Sequence, residues 1–475
     1  FQWLKSLDRR GSMSKQILIV LGILLVFGCA DVSKENQLQT GCSEGSESTP
    51  ENVYVAPAPN PAPTPTVICT GTFSSGWPQQ FGSCSNETGN DIVVDTSGNV
   101  YITGNTSGDL DNFTNLGSSD VFVVKYNSSG NKQWLKQFGT TSGDSGNAIA
   151  LDSSGNIYVF GAQNGEPFLK KLDNAGTDQW IINTPKSTYG YSNDLAVDQN
   201  NGDIYLTGSH YGDFDDQTNS GVSYDVYIVK YNSSGIKQWS RLYGSAYGDG
   251  AGGVATDSAG NIYLTGSYNG MPSDNRENIF IVQYNSDGTK GWESILDGET
   301  CSSDADHGNA ITVDSSNNIF VTGQTGAGTH LDCGLNGNTG FGRLDAFVTK
   351  YNSTGSRQWT KQIGSNYNDF GHSITTDISG NVYITGYTFG DINGSSGVNH
   401  SGDVITVKYN SDGDKQWSKQ FSTGSTKREE GAGISVDSSG NTYVVGYTSG
   451  EIDGNTNLGN NDVFILKYDT NGNLQ

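Results

Sequence analysis

Short runs of β-branched and aromatic residues recur along most of the chain, and clusters of Gly, Asn, Asp and Ser separate them. Residues 92–95 and 100–104 are two such runs, with a ThrSerGlyAsn turn between them at 96–99. Turns of this kind place Gly where a positive φ is needed and join two antiparallel strands tightly. The pattern therefore predicts an all-β protein of short strands without long helices.

The runs follow one another in a fixed order that repeats. A run such as 148–152 is followed by a turn, by a run that ends in Gly such as 99–104, and by a run that is apolar on both faces such as 120–126. A second turn then leads to a run that contains tryptophan, such as 132–139. Four strands make one repeat, and one Trp marks each of seven repeats: Trp77, Trp134, Trp180, Trp239, Trp292, Trp359 and Trp417. This organisation predicts a closed seven-bladed β-propeller with four antiparallel strands per blade; an open β-solenoid is the alternative.

The two ends of the repeat array complement each other. The last repeat stops at residues 473–475, where every earlier repeat continues into a Trp-containing run, and the first repeat begins with such a run alone at 77–82. We therefore expect the N-terminal strand to complete the last blade and close the ring, which removes open sheet edges.

The repeated residues resemble the bacterial β-propeller repeat (SBBP) lipoprotein family, and the resemblance covers about residues 77–475. It implies a propeller fold and a secreted or surface protein. It implies no activity, and no catalytic residue can be carried over from it.

The front of the chain predicts export and a lipid anchor. The apolar run 17–27 follows Lys15 and is too short to span a bilayer, as in a secretory signal peptide. Residues 26–29 resemble a lipobox, so Cys29 is the predicted lipidation site; an ordinary signal peptide with a chance Cys is the alternative. Residues 1–28 are thus interpreted as upstream sequence plus signal peptide. Residues 29–68 form a Pro- and Ser-rich tether, and residues 69–475 form the propeller. The predicted location is the outer membrane or cell envelope, periplasmic or surface-exposed.

Export also permits disulfides. Cys301 and Cys333 fall in the two variable connections of the fifth repeat, which favours a disulfide between them over two free thiols. The pairing of Cys42, Cys69 and Cys84 stays open.

Acidic elements of the form GlyAspLeuAsp recur in the long connections. Carboxylates two residues apart with Gly nearby suit calcium, which predicts loop ligands; the alternative is solvated turns whose apolar residue pins the loop to the core. The candidate calcium ligands are Asp109, Asp111, Asp213, Asp215, Asp391, Asn393, Glu451 and Asp453.

The net charge of −24 opposes binding to nucleic acid. The sequence contains no metalloprotease, Walker or nucleophile-elbow motif. His307 and His372 fall in fourth-to-first connections of adjacent blades and could share one face as a metal or acid–base pair. Loop aromatics are the better candidates for ligand contact: Tyr189, Tyr191, Tyr211, Tyr247, Tyr367 and Phe389.

These observations predict a monomeric, non-enzymatic propeller that binds protein or glycan through its variable loops. Two alternatives stay open. One is a carbohydrate hydrolase or lyase, which would require carboxylates that converge at the propeller mouth with one raised pKa. The other is a purely structural envelope protein.

Overall fold

The computed structural model describes residues 75–184, 190–221, 223–270, 277–296, 306–326, 335, 340–392, 401–424 and 426–475. The chain divides into two units, residues 1–66 and residues 67–475, and all described residues belong to the second. The predicted signal peptide, Cys29 and the tether lie outside the described residues. A search of the described residues finds no helix that is long and apolar enough to cross a bilayer.

The described residues form strands β1 to β28, arranged as seven antiparallel four-stranded sheets, which are the blades. Blade 1 consists of β2 (Glu87–Val94), β3 (Val100–Thr106), β4 (Asp120–Tyr126) and β5 (Lys132–Phe138). Blade 2 consists of β6 (Asp144–Leu151), β7 (Ile157–Gln163), β8 (Glu166–Leu172) and β9 (Asp178–Asn183). Blade 3 consists of β10 (Gly190–Val197), β11 (Ile204–Tyr211), β12 (Tyr224–Tyr231) and β13 (Lys237–Tyr243).

The remaining blades repeat this pattern. Blade 4 consists of β14 (Gly250–Thr256), β15 (Ile262–Tyr268), β16 (Asn278–Tyr284) and β17 (Lys290–Leu296). Blade 5 consists of β18 (His307–Val313), β19 (Ile319–Thr325), β20 (Asp345–Tyr351) and β21 (Arg357–Ile363). Blade 6 consists of β22 (Asp369–Thr376), β23 (Val382–Thr388), β24 (Asp403–Tyr409) and β25 (Lys415–Phe421). Blade 7 consists of β26 (Glu429–Val436), β27 (Thr442–Thr448), β28 (Asp462–Tyr468) and β1 (Gln79–Phe81).

Blade 7 confirms the predicted closure. Strand β1 pairs antiparallel with β28, with Gln80 opposite Phe464 and Phe81 opposite Val463. The first strands of neighbouring blades contact one another around the axis, and β26 contacts β2. The chain is therefore a closed seven-bladed β-propeller whose last blade uses the N-terminal strand.

An aspartate organises the turn between the first and second strands. In blade 1, Asp95 Oδ1 accepts the N–H groups of Ser97 and Asn99, both at 2.9 Å. Its Oδ2 accepts the Asn99 amide at 2.8 Å and the Tyr101 hydroxyl at 3.1 Å. Gly98 has φ 78°, as the turn chemistry predicts. Equivalent bonds recur at Asp152, Asp257, Asp314, Asp377 and Asp437.

The tryptophan of each fourth strand joins neighbouring blades. Trp134 of blade 1 donates its indole N–H to the carbonyl of Asn174, in the second turn of blade 2, at 3.3 Å. Trp77 makes the same contact from blade 7 to Ser128 of blade 1, at 3.2 Å. The tryptophan that marks each repeat in the sequence is therefore an interblade contact.

The two short turns of each blade lie on one side of the ring, because they join the first strand to the second and the third strand to the fourth. The other connections lie on the opposite side, which we call the variable face; residues 107–119 of blade 1 are an example. In blade 2 this connection is reduced to a turn at Asn164 and Gly165.

Candidate functional site

The axis of the propeller is a channel of about 320 Å³ lined by the first strand of every blade. Each first strand carries a β-bulge at the same position. A bulge re-aims one side chain away from the regular pleat. The bulged residues that line the channel are Asn90, Asn147, Asn193, Gly252, Asn309, His372 and Ala432.

The asparagines of this ring tie adjacent blades together. The Asn90 amide donates to the Gly146 carbonyl at 2.8 Å, and the Asn147 amide donates to the Ser192 carbonyl at 2.6 Å. Asn193 reaches Ala251 at 2.8 Å, and Asn309 reaches Gly371 at 2.7 Å. Sequence reasoning missed this ring, although a Gly-Asn or Ser-Asn pair opens four of the first strands.

Two carboxylates also lie in the channel. Asp91 accepts the N–H groups of Ile92 and Ile149, both at 2.8 Å. Asp194 accepts those of Leu195 at 2.8 Å and Val254 at 2.9 Å. Burial raises the pKa of Asp91 to about 7, with a further contribution from the Asp194 charge, and burial raises the pKa of Asp194 to about 6. Backbone N–H groups donate to both oxygens of each carboxylate. Asp91 therefore connects blade 1 to blade 2, and Asp194 connects blade 3 to blade 4.

A second cavity of about 360 Å³ opens beside the channel on the variable face, between blades 3, 4 and 5. We call it the tyrosine pocket. It shares Asn193 with the channel. Its lining residues are Tyr191, Asn193, Ser209, Tyr224, Gly248, Asp249, Gly250, Ala251, Ser267, Glu277 and His307.

Tyrosines form one wall of this pocket. Tyr191 is 63% exposed, and its ring centroid lies 5.9 Å from that of Tyr224. Tyr211 packs edge-on against Tyr224 with centroids 5.5 Å apart and is itself exposed. Clustered exposed aromatics on a loop face are typical of contact surfaces. The structure thus brings together two of the loop aromatics predicted from the sequence.

The opposite wall is polar. The Asn193 side-chain amide donates to the Ala251 carbonyl, and its buried Oδ1 atom has no hydrogen-bond partner among the described residues. Asp249 is buried and accepts the N–H groups of Ser245 and Asn269. Burial raises the pKa of Asp249.

The two histidines occupy different places from those predicted. His307 begins β18 and His372 lies within β22, so both belong to first strands rather than to the connections. His307 lines the tyrosine pocket, whereas His372 lines the channel. Burial lowers the pKa of both imidazoles, which keeps them neutral near pH 7.

The acidic loop elements use their carboxylates within the fold. Asp109 Oδ1 accepts the Asn115 N–H at 2.8 Å, and Asp213 Oδ1 accepts the Asn219 N–H at 2.9 Å. Asp111 forms an ion pair with Lys132 at 2.5 Å, and Asp215 forms one with Lys237. The apolar residues between the acids are buried and pin the loops to the core: Leu110, Phe214 and Ile452.

Within the described residues, no three His, Cys, Asp or Glu side chains are grouped as metal ligands. Glu451 and Asp453 are exposed in the blade 7 loop, Asp391 lies in the corresponding blade 6 loop, and Asn393 lies outside the described residues. The structure thus distributes the seven described candidate ligands over four separate loops, and calcium binding stays a prediction.

The cysteines are only partly described. Cys84 is disulfide-bonded. Cys301 and Cys333 lie outside the described residues, as do Cys42 and Cys69, so the predicted Cys301–Cys333 disulfide stays a prediction.

The other loop aromatics have separate surroundings. Tyr247 is exposed, whereas Tyr367 is half-buried. Phe389 packs edge-on against Tyr387, with ring centroids 5.5 Å apart. Tyr189 lies outside the described residues. Tyr191 and Tyr211 are therefore the sequence-predicted aromatics that contribute to the tyrosine cluster.

Comparison with known proteins identifies the repeat. Residues 76–111, 133–168, 358–393 and 416–453 match the family described as beta-propeller repeat (SBBP). An uncharacterised WD repeat-containing protein of Acanthamoeba polyphaga mimivirus is 23% identical over 500 residues, which cover 84% of this chain and 34% of that protein. Regulatory protein FlaEY of Caulobacter vibrioides is 24% identical over 202 residues, which cover 37% of this chain and 21% of that protein. The chain thus spans about a third or less of the length of these relatives.

Similar solved structures include a polysaccharide lyase of family PL25, an ulvan lyase. It is 10% identical with a TM-score of 0.49, and the match covers 82% of this chain and 96% of that one. Puromycin hydrolase is 8% identical with a TM-score of 0.47, and the match covers 82% and 53% of the two chains.

Proposed function

We propose that this chain, an SBBP β-propeller repeat protein, is an extracytoplasmic binding module that holds a glycan or a protein segment in the tyrosine pocket. The supporting observation is the composition of that pocket. The exposed ring of Tyr191 lines it together with Tyr224 and with polar side chains such as Ser209 and Glu277. Aromatic rings beside a few polar groups are typical of ligand sites, where the rings supply contact area and the polar groups fix the orientation of the ligand.

Truncation of the aromatic wall tests this proposal. We expect Tyr191→Ala to weaken binding of a glycan-array or envelope-extract ligand at least about tenfold, because exposed aromatic anchors contribute much of the binding energy at such sites. Isothermal titration of the full chain, with and without calcium, measures the change. Ile378→Ala is the control, because Ile378 is 85% exposed in a turn on the opposite side of the ring. Equal affinities of the wild-type and Tyr191→Ala proteins would place the site elsewhere.

An enzymatic role is the second candidate, and the two channel carboxylates favour it. The raised pKa of Asp91, about 7, is suited to a general acid. Against this, backbone amides hold both oxygens of Asp91 and of Asp194. Release of reducing ends during the glycan titrations would support a hydrolase or lyase, whereas intact glycans would support binding alone.

We further propose that Cys29 carries a lipid anchor that places the propeller at the outer membrane or cell envelope. Each buried methylene of an acyl chain contributes about 0.8 kcal/mol to membrane binding, so loss of the acylated residue is expected to release the protein. Cys29→Ser should therefore move the chain from the membrane fraction to the soluble fraction in cell fractionation. Ser33→Ala, in the predicted tether, is the control, and a Cys29→Ser protein that stays with membranes would contradict the anchor.

A further inference from the structure

The hydrogen-bonding side chains of the tyrosine pocket are biased toward acceptors. Two carboxylates, Asp249 and Glu277, line it. Asp249 is buried and already accepts the N–H groups of Ser245 and Asn269, so Glu277 is the carboxylate that is left for a ligand. The Asn193 amide group donates to Ala251, and the Ser209 hydroxyl oxygen accepts the N–H of the same residue at 2.9 Å. The pocket therefore offers mainly sites for a ligand that donates hydrogen bonds.

These carboxylates are not balanced by cations within the described part of the pocket. No Lys or Arg is among its described lining residues, and His307 is neutral because burial lowers its pKa. The acidic loops of the same face differ in this respect, because Lys132 neutralises Asp111 and Lys237 neutralises Asp215. Glu277 forms no ion pair with any described residue.

The aromatic wall suits the same kind of ligand. A cation over a tyrosine ring is attracted by its negative face, by about 0.5–1 kcal/mol at an exposed site. Tyr191 and Tyr224 line the same pocket as Glu277, and Tyr211 packs against Tyr224. The net charge of −24 adds a long-range attraction for cations. A neutral sugar would stack on the rings and donate hydroxyl groups to Glu277 without offsetting its charge, and an anion would be repelled.

We infer that the tyrosine pocket binds a protonated amine attached to a flat or apolar body, as in an amino sugar with a free amine. This inference rests on the proposed binding function and specifies the ligand class of that site. A cavity of about 360 Å³ is large enough for such a group. A lysine side chain presents the same ammonium chemistry, so the test must separate the two sources.

Titration of the full chain with three probes provides that test. The probes are chito-oligosaccharides with free amines, the N-acetylated oligosaccharides of equal length, and a lysine-rich peptide, all at slightly acidic pH. We expect the free-amine sugar to bind at least about tenfold more tightly than its N-acetylated form, with an affinity that falls as salt rises. Glu277→Gln keeps the shape of the side chain, removes its charge, and should abolish most of this preference. Glu451→Gln, at an exposed acid of the same face, should leave the preference intact.

The outcomes separate the two proposals. Equal or tighter binding of the N-acetylated sugar would overturn the amine inference, while its loss in Tyr191→Ala would still support the binding site. A Glu277→Gln protein that keeps the full preference would also overturn the inference. Tighter binding of the peptide than of either sugar would support the ammonium chemistry and assign its source to a protein. Failure of all three probes would overturn the inference and leave the Tyr191→Ala experiment to decide the binding function.

Discussion

Phe81→Ala is expected to lower the free energy of unfolding of the whole propeller by about 3–5 kcal/mol, the range for removal of a buried aromatic side chain. Phe81 is 1% exposed and lies at the end of β1. Its ring packs edge-on against Phe122 of blade 1, with centroids 5.6 Å apart, while its backbone pairs with Val463 of blade 7. One side chain thus takes part in the contact that closes the ring.

Two measurements give this loss: urea denaturation followed by tryptophan fluorescence, and thermal unfolding followed by calorimetry. Because the closing contact joins the first blade to the last, we expect both probes to shift together and the transition to stay cooperative at lower urea. Phe113→Ala is the matched control, since Phe113 is 37% exposed in a loop of the variable face. A loss below about 1 kcal/mol would show that β1 is not needed to hold the ring closed.

The ring closure itself could be predicted from the sequence, because it depends on local and repeated signals. In the sequence, the other runs of the repeat pattern do not precede the Trp-containing run at 77–82, and the last repeat lacks such a run, so each end supplies what the other lacks. Gly98 and its equivalents set the turns, and the alternation between turns and apolar runs sets the strands. Every one of these signals acts within one repeat.

The tyrosine pocket could not be predicted as a unit. Tyr191, Tyr224, Glu277 and His307 belong to three different blades and come together only through the curvature of the ring. The sequence singled out Tyr191 as a loop aromatic and His307 as a possible partner of His372, but no spacing rule connects Tyr191 with His307. The channel carboxylates Asp91 and Asp194 were missed for the same reason.

Stability of the propeller is expected to fall as pH rises from about 4 to about 7, and Asp369 accounts for a measurable part of that fall. Asp369 of blade 6 is fully buried next to Asp345 of blade 5, at the seam between the two blades. Burial raises the pKa of Asp369 to about 7, with a smaller contribution from the Asp345 charge, and burial raises the pKa of Asp345 to about 6. Both carboxyl groups lie against Gly364, where Asp345 leaves no room for a side chain.

The sign follows from proton binding. Between the ordinary pKa of an aspartate and the raised pKa of Asp369, the folded state binds more protons than the unfolded state. The stabilisation from this group is therefore complete below about pH 4 and is lost as pH rises through about 7. A tenfold difference in proton affinity between the folded and unfolded states corresponds to about 1.4 kcal/mol, so the rise of the Asp369 pKa from 3.8 to about 7 corresponds to a fall in stability on the order of 4 kcal/mol.

Asp369→Asn removes this titration. Urea denaturation at pH 5 and at pH 8 gives the change in unfolding free energy between the two pH values. We expect the part of this change that is due to the seam to be at most half as large in the variant as in the wild type. The Asp345 oxygen Oδ1 has no hydrogen-bond partner among the described residues, so an amide at position 369 could donate to it where two carboxylates would repel. Asp216→Asn, at an exposed loop position, removes the same formal charge and should leave the pH dependence unchanged. If the unfolding free energies of the wild type and of Asp369→Asn depend on pH in the same way, the pKa of Asp369 is the same in the folded and unfolded chains and the prediction is wrong.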